Sequence, residues 1–180
     1  MDEAPRSLIL VGMMGAGKTT VGRLLARRLK RAFFDSDHEV ERRCGVKIAV
    51  IFDIEGEDGF RRREAALLDE LSQRAGIVLA TGGGAVLNPD TRQRLRERGL
   101  VVYLRASADE IHRRTRNDRS RPLLQTADPR AKIAELLAQR EPLYVATAHL
   151  TFQSASANPR RLVRRLLEEP AIRRLATTPP

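Results

Sequence analysis

A glycine-rich segment near the start of the chain carries the clearest chemical signal. Residues 12–19 read Gly-Met-Met-Gly-Ala-Gly-Lys-Thr and match the phosphate-binding pattern G-x-x-x-x-G-K-[ST]. In such a segment the glycines let backbone N–H groups and a helix N-terminus point at phosphate oxygens. We expect Lys18 to reach the β- and γ-phosphates of a nucleoside triphosphate, and the Thr19 hydroxyl to bind Mg²⁺. The predicted nucleotide-binding residues here are Gly12, Met13, Met14, Gly15, Ala16, Gly17, Lys18, Thr19 and Thr20.

Two carboxylates form a second candidate cluster. Asp35 and Asp37 follow the residues Ala-Phe-Phe at 32–34. A strand over those residues would place both carboxylates beyond its carboxyl end, where ligands bind in open α/β sheets. The alternative is a structural role, in which Asp37 caps the N-terminus of a helix over the polar residues that follow.

Two further segments have the composition of a ligand site. Three consecutive glycines, Gly82, Gly83 and Gly84, would let a ligand or another backbone approach closely. Residues 116–122 are dense in charge and turn formers and lack an apolar face, which predicts a mobile lid whose arginines close onto phosphates. The alternative for this segment is an ordinary solvated loop.

Short apolar runs alternate with amphipathic stretches, which predicts a three-layer α/β/α fold around a five-stranded parallel sheet. The predicted strands are Leu8–Val11, 32–34, Ile77–Ala80, 100–104 and 150–152. The predicted helices are 19–29, 63–74, Pro89–Arg98, Ala108–Thr115, 132–146 and 159–167. We expect one domain over residues 1–180, with a core from about 7 to 168, a lid from about 113 to 124 and a flexible tail from about 170 to 180.

Composition limits the classes of partner and compartment. The net charge of +10 suits anionic partners, but aromatic residues make up only 4% of the 180 residues, which favours small phosphorylated ligands over nucleic acid. Cys44 is the single cysteine, so no intramolecular disulfide forms and a reducing cytoplasm is expected. Residues 1–6 lack a leader-like pattern and no stretch has the length of a membrane span, so we expect an unprocessed protein without membrane partners.

Six motifs occur in an order that is typical of one enzyme family. They are residues 12–19, Asp-Ser-Asp at 35–37, Gly-Glu-Asp-Gly-Phe-Arg at 56–61, Gly-Gly-Gly at 82–84, Arg-Pro-Leu-Leu at 121–124 and Arg-Glu-Pro-Leu-Tyr at 140–144. From about residue 8 to 167 the chain closely resembles the bacterial shikimate kinases, P-loop proteins of the nucleoside-monophosphate-kinase type. The resemblance implies transfer of the ATP γ-phosphoryl group to the 3-hydroxyl of shikimate, on the route to chorismate and the aromatic amino acids, by a cytoplasmic monomer.

The resemblance also implies a role for each matching residue. Lys18, Asp37 and Arg121 are the catalytic candidates, with Asp37 as the proton acceptor. Shikimate would contact Asp37, Arg61, Gly82, Gly83, Gly84 and Arg140, with the two arginines on its carboxylate. Thr19 and, through water, Asp35 would hold Mg²⁺, and Arg114, Arg121 and Pro159 would complete the ATP site. The side chains of Ile48, Phe52 and Phe60 would either wall the ring of shikimate or belong to the core.

Other readings of the same motifs stay open at this stage. A gluconate kinase or a nucleoside-monophosphate kinase would share the phosphate-binding loop, sheet and lid. A gluconate kinase should lack the combination of Asp35, Asp37, Arg61 and Arg140, and a nucleotide kinase would need several arginines around a second phosphate and a base pocket. A nucleotide switch without a small acceptor is a further alternative, for which the positive charge and the arginine-rich residues 159–167 offer weak support.

Overall fold

Five short strands form one parallel sheet in the computed structural model of the chain, which describes residues 7–118, 120–154 and 158–177. The strands are β1 (Leu8–Val11), β2 (Ala32–Asp35), β3 (Ile77–Ala80), β4 (Leu100–Arg105) and β5 (Leu150–Gln153). Their order in the sheet is β2-β3-β1-β4-β5, so β1 lies at the centre and pairs with β3 and β4. Every residue of β1 and β3 is buried, as expected for parallel strands that are covered on both faces.

Helices cover the sheet and connect its strands. They are α1 (Lys18–Leu29), α2 (Ser36–Cys44), α3 (Ile48–Ser72), α4 (Pro89–Arg98), α5 (Ala108–Thr115), α6 (Pro129–Thr147), α7 (Pro159–Glu168) and α8 (Pro170–Thr177). One group of helices consists of α1, α7 and α8, and a second group of α3, α4, α5 and α6. The predicted α/β fold with a five-stranded parallel sheet is therefore confirmed.

The region between β2 and β3 is more helical than the sequence analysis predicts. The helix predicted over 63–74 is wrong at its start, because α3 begins at Ile48 and includes Gly56. Gly56 has φ 70° and ψ −179°, a left-handed conformation that glycine adopts without a Cβ penalty, and the helix continues beyond it. Burial of Ile51 and Phe60 on either side of this kink explains why both halves of α3 stay against the core.

The predicted flexible tail is wrong for residues 170–177. This segment forms α8, in which Ile172 and Leu175 are fully buried at the i, i+3 spacing of a helix face. The Arg31 guanidinium donates a hydrogen bond to the Leu175 carbonyl oxygen at 2.7 Å, which ties α8 to the segment between α1 and β2. Residues 1–6 and residues 178–180 of the predicted tail lie outside the described residues.

Within the part of the chain that the structure describes, no helix combines the length and the apolar character that a membrane crossing requires.

Candidate active site

A cleft of about 510 Å³ opens where β1, β2 and β3 end. The residues that follow these three strands line it, together with side chains of α3 and α6 and the segment 120–123. The predicted site residues among its walls are Met14, Gly15, Gly17, Lys18, Thr19, Thr20, Asp35, Asp37, Arg61, Gly82, Gly83, Gly84, Arg121 and Arg140. Three separate predictions, the phosphate-binding loop, the carboxylates and the glycine turn, therefore converge on one cavity.

The phosphate-binding loop runs from the end of β1 into α1. Gly12, Gly15 and Gly17 have φ angles of 146°, 74° and 93°, values that favour glycine and curl the backbone around the Lys18 ammonium. That ammonium donates hydrogen bonds to the carbonyl oxygens of Gly12 at 2.7 Å and Met13 at 2.8 Å. Burial lowers the pKa of Lys18 to about 8, although Asp37 nearby favours the charged form.

Asp35 connects the end of β2 to the phosphate-binding loop. The Thr19 hydroxyl donates to Asp35 Oδ2 at 2.5 Å, while Asp35 Oδ1 accepts from the backbone N–H groups of Asp37 at 3.1 Å and His38 at 3.3 Å. Asp35 is thus the N-cap of α2, and the alternative in which Asp37 is the cap is wrong. Because Asp35 does the capping, the Asp37 carboxylate in the first turn of α2 is left to line the cleft.

The three glycines after β3 make room for other side chains of the cleft. A Cβ on Gly82 would come within 2.3 Å of Glu64 Oε1 and 2.7 Å of Asp37 Oδ1, and one on Gly84 would meet the Arg61 guanidinium at 2.3 Å. The Gly82 N–H also donates to the buried Ser36 hydroxyl at 2.8 Å, which fixes the turn against the start of α2. At Gly82 and Gly84 the close approach is made by side chains, whereas at Gly83 it is made by the expected second backbone, since a Cβ there would lie 3.1 Å from the Met14 nitrogen of the phosphate-binding loop.

Arg61 and Glu64 form an ion pair on one face of α3. Arg61 Nη1 donates to Glu64 Oε2 at 2.6 Å, and Arg61 also contacts Glu57 Oε1 at 3.0 Å. Glu64 is 2% exposed, and burial raises its pKa against the opposing effect of Arg61. The sequence analysis missed Glu64; its place three residues after Arg61, on the same helix face, is the signal that identifies it.

Arg140 reaches the cleft from α6 and is only 2% exposed. Its Nε and Nη1 groups form no hydrogen bond with the described residues, which is costly for a buried guanidinium and leaves them available to an acceptor in the cleft. One turn later, the buried Tyr144 hydroxyl donates to the Gly83 carbonyl oxygen. This contact joins α6 to the glycine turn, so Arg140 is held beside it.

Asp37 keeps part of its surface in the cleft and is otherwise enclosed by protein. Burial raises the pKa of this carboxyl, and the neighbouring Asp35 raises it further, whereas Lys18 and Arg121 act in the opposite direction.

Ile48, Phe52 and Phe60 line the cleft, with the rings of the two phenylalanines 5.1 Å apart.

The segment predicted as a lid is partly regular. Residues 113–115 belong to α5, and residues 122–124 form a short 3₁₀ turn with Leu124 buried. Arg121 lies at the edge of the cleft, where its Nε donates to Asp118 Oδ2 at 2.7 Å. Arg119 of the predicted lid is outside the described residues.

Arg114 contacts the phosphate-binding loop from α5. Its guanidinium donates to the Gly15 carbonyl oxygen at 3.1 Å and to the Ser154 carbonyl oxygen at 2.5 Å, and the Ser154 hydroxyl donates to Ala16 O at 2.5 Å. Sequence reasoning missed Ser154, since nothing in its local pattern marks a residue that follows β5. Pro159 occupies the first turn of α7, and neither Arg114 nor Pro159 lines the cleft.

Comparison with known proteins gives a consistent result across most of the chain. The family model described as Shikimate kinase matches residues 14–171. A shikimate kinase of Bordetella pertussis is 62% identical over 160 residues, which cover 89% of this chain and 76% of that protein. A shikimate kinase of Nitrosospira multiformis is 56% identical over 166 residues, covering 92% of this chain and 85% of the relative.

The solved structures agree with the sequence relatives. The shikimate kinase from Acinetobacter baumannii, in complex with shikimate, superposes with a TM-score of 0.90 at 48% identity, over 92% of this chain and 93% of the other. The residues matched by the family model include Lys18, the glycine turn and the helices that carry Arg61 and Arg140. The chain belongs to the shikimate kinase family.

Proposed function

We propose that this protein transfers the γ-phosphoryl group of ATP to the 3-hydroxyl of shikimate, giving shikimate 3-phosphate and ADP. The observation that carries the proposal is one cleft with two chemically different ends. Lys18 and the phosphate-binding loop supply a phosphate site, whereas Asp37, Arg61 and Arg140 supply groups for a hydroxylated ring acid. Family membership supports the same acceptor.

At the phosphate end, Lys18 contacts the β- and γ-phosphates and the loop N–H groups bind the remaining phosphate oxygens. The site fits Mg²⁺, because the Thr19 hydroxyl and Asp35 Oδ2 are hard oxygen donors 2.5 Å apart at the cleft wall. Asp35 Oδ1 is occupied by capping, which favours an indirect contact through water from this carboxylate. Bound Mg²⁺ neutralises phosphate charge as it develops during transfer.

At the acceptor end, Arg61 and Arg140 bind the shikimate carboxylate. A guanidinium gives directional, bidentate recognition of a carboxylate, and the unpaired N–H groups of buried Arg140 fit that partner. The backbone of Gly82, Gly83 and Gly84 forms the floor beneath the ring, and Asp37 accepts hydrogen bonds from its hydroxyls.

In the reaction, the 3-hydroxyl oxygen attacks the γ-phosphorus while the bond to the β,γ-bridging oxygen breaks, and ADP leaves. Asp37 takes the proton of that hydroxyl, since its burial raises the pKa and makes it a better base than an exposed carboxylate. Lys18 and Arg121 stabilise the charge on the transferring group, with Arg121 moving inward from the edge of the cleft.

The remaining assignments concern the nucleotide base and the state of the protein. Arg114 and Pro159 contact the adenine. Arg114 at the same time donates a hydrogen bond to the phosphate-binding loop. The protein acts as a cytoplasmic monomer without nucleic-acid or membrane partners. The single cysteine, Cys44, supports the reducing compartment.

The test is ADP release from MgATP by the purified protein, with no acceptor, shikimate, gluconate or a panel of nucleoside monophosphates. We expect release only with shikimate, and none from a Lys18→Ala variant. Release with gluconate or a nucleoside monophosphate would assign a different acceptor, and release that needs no acceptor would indicate a nucleotide switch. Either result would overturn the proposal.

A further inference from the structure

The positive charge of the molecule is concentrated on one group of helices. Residues 19–31 and 158–177, which include α7, α8 and α1 after Lys18, contain eleven arginines and lysines against two glutamates, so they carry +9 of the net +10. The eleven are Arg23, Arg27, Arg28, Lys30, Arg31, Arg160, Arg161, Arg164, Arg165, Arg173 and Arg174. We call this group of residues the cationic face.

Elsewhere in the molecule, several exposed arginines are neutralised by carboxylates, whereas Arg62, Arg113 and Arg116 are exposed without an ion pair to the described residues. Ion pairs join Arg42 to Glu39, Arg43 to Glu70, Arg63 to Glu55, Arg98 to Asp69 and Arg130 to Asp109. On the cationic face, by contrast, Arg28, Arg160, Arg161 and Arg164 form no side-chain hydrogen bond or ion pair with the described residues. Glu168 follows Arg164 by four residues, yet these two side chains form no ion pair.

These four arginines line one groove. A cavity of about 660 Å³ lies between α1 and α7, with Arg28 on one wall and Arg160, Arg161 and Arg164 on the other. Its floor is apolar and consists of Leu24, Val163 and Leu167, while Asn158 and the single carboxylate Glu168 complete the lining. A volume of this size lies in the range of small-molecule sites, which are about 300 to 1,000 Å³.

Like charges on α7 also destabilise each other. Arg160 and Arg164 are four residues apart on the same helix face, a spacing at which two positive charges repel. A ligand with several negative charges between α1 and α7 would remove this repulsion and form charge-assisted hydrogen bonds with the guanidinium groups. The apolar floor would bury the organic part of such a ligand.

We propose that the groove between α1 and α7 is a second ligand site, separate from the cleft, for a small organic polyphosphate. The walls face each other across a concavity, which suits a compact ligand that enters between two helices. A nucleic-acid strand would in addition need stacking platforms, and no aromatic residue lines the groove. Arginine rather than lysine on both walls suits bidentate contacts with phosphate oxygens.

The test is a calorimetric titration with inorganic tripolyphosphate in magnesium-free buffer. Since the phosphate-binding loop also takes this probe, we expect two sites per chain in the unaltered protein. The double variant Arg161→Gln/Arg164→Gln should keep the first site and bind at the second about tenfold or more weakly. Its kinase activity should stay unchanged, because neither residue lines the cleft or belongs to the proposed ATP site.

The matched control is Arg23→Gln/Arg27→Gln, which removes the same charge from exposed arginines of the same cationic face but outside the groove. This control should retain both sites. A single site in the unaltered protein would overturn the proposal, as would equal loss in the two double variants, which would indicate diffuse attraction to the whole face. If short duplex DNA bound more tightly than tripolyphosphate, and tripolyphosphate competed with it only weakly, the cationic face would be assigned to nucleic acid instead.

Discussion

The proposed reaction needs a deprotonated Asp37 and a protonated Lys18 in the same cleft. Asp37 must lose its proton to act as a base, and burial raises the pKa at which this happens. Lys18 must keep its proton to bind phosphates, and burial lowers the pKa at which it is lost, to about 8. If Asp37 and Lys18 have the proposed roles, we expect activity to be confined to the pH range between these two transitions.

The first prediction concerns Asp37. Asp37→Asn keeps the size of the side chain but removes the base, so kcat should fall by about 10² to 10⁴ while the KM for ATP stays close to normal. The rise of activity with pH that Asp37 causes should also disappear. Steady-state kinetics over a pH series measure both effects. A variant with near-normal kcat would show that another group, such as the phosphate itself, accepts the proton.

The second prediction concerns Lys18. In the free enzyme, kcat/KM for ATP should decrease above a pH of about 8, because the ammonium becomes neutral. Binding of MgATP favours the charged form, so the decrease in kcat should occur at a higher pH. Measurement of kcat and of kcat/KM for ATP over a pH series at constant ionic strength shows which of the two decreases at the lower pH. If kcat/KM for ATP stayed constant well above that pH, the assigned protonation of Lys18 would be wrong.

The third prediction concerns carboxylate recognition. Arg61→Lys replaces a bidentate fork with a point charge, so the KM for shikimate should rise about tenfold or more with a smaller effect on kcat. Arg63→Lys is the control, because Arg63 is exposed and pairs with Glu55 outside the cleft. An unchanged KM for shikimate in Arg61→Lys would refute the carboxylate assignment.

At the scale of elements, contacts between distant segments hold the cleft in shape. The glycine turn after β3 is fixed by Ser36 from α2 and Tyr144 from α6. The phosphate-binding loop is fixed by Arg114 from α5 and Ser154 after β5. Four elements that are separate in sequence thereby determine the positions of Lys18, Asp37 and Arg140.

The fourth prediction concerns α8. Leu175 is fully buried, so Leu175→Ala should lower the free energy of unfolding by about 2 to 4 kcal/mol. Arg173→Ala, at an exposed position of the same helix, should change it by less than about 0.5 kcal/mol. Urea unfolding of both variants measures the difference. Equal stability of the two would mean that α8 does not pack in solution and that the expected flexible tail was right.

At the scale of the whole molecule, charge is divided between two environments. Several arginines of α2, α3 and α4 lie in ion pairs, whereas most of those on the cationic face are exposed to solvent. The active cleft and the cationic face meet at α1, whose first turn carries Lys18 and Thr19 and whose later turns carry Arg23, Arg27 and Arg28.

The fifth prediction concerns closure of the cleft. If the segment after α5 closes when both ligands are present, tryptic cleavage after the exposed Arg116 should be slower with MgADP and shikimate together than with either alone. Mass spectrometry of fragments that begin at Asn117 measures the rate. Equal cleavage under all conditions would argue against a moving lid.

The sequence alone determined the reaction class and the sheet. The phosphate-binding loop is one contiguous segment that contains its glycines, Lys18 and Thr19, and each inner strand is a continuous apolar run. Both features depend on the geometry of residues that are close in the chain, so a sequence pattern can identify them. The glycine turn and Arg61 were identified from motifs of the same kind. For these features, neighbours in the chain are neighbours in space.

Only the tertiary structure decided which groups occupy each position around that loop. It assigned the capping of α2 to Asp35, paired Arg61 with Glu64 and enclosed Arg140. It also made residues 170–177 a helix, because Ile172 and Leu175 find a core to cover. These outcomes depend on burial and on contacts between residues far apart in the chain, which local propensity does not contain. The sequence motifs therefore specified which residues belong to the site, and tertiary packing specified which groups these residues contact and how their pKa values are shifted.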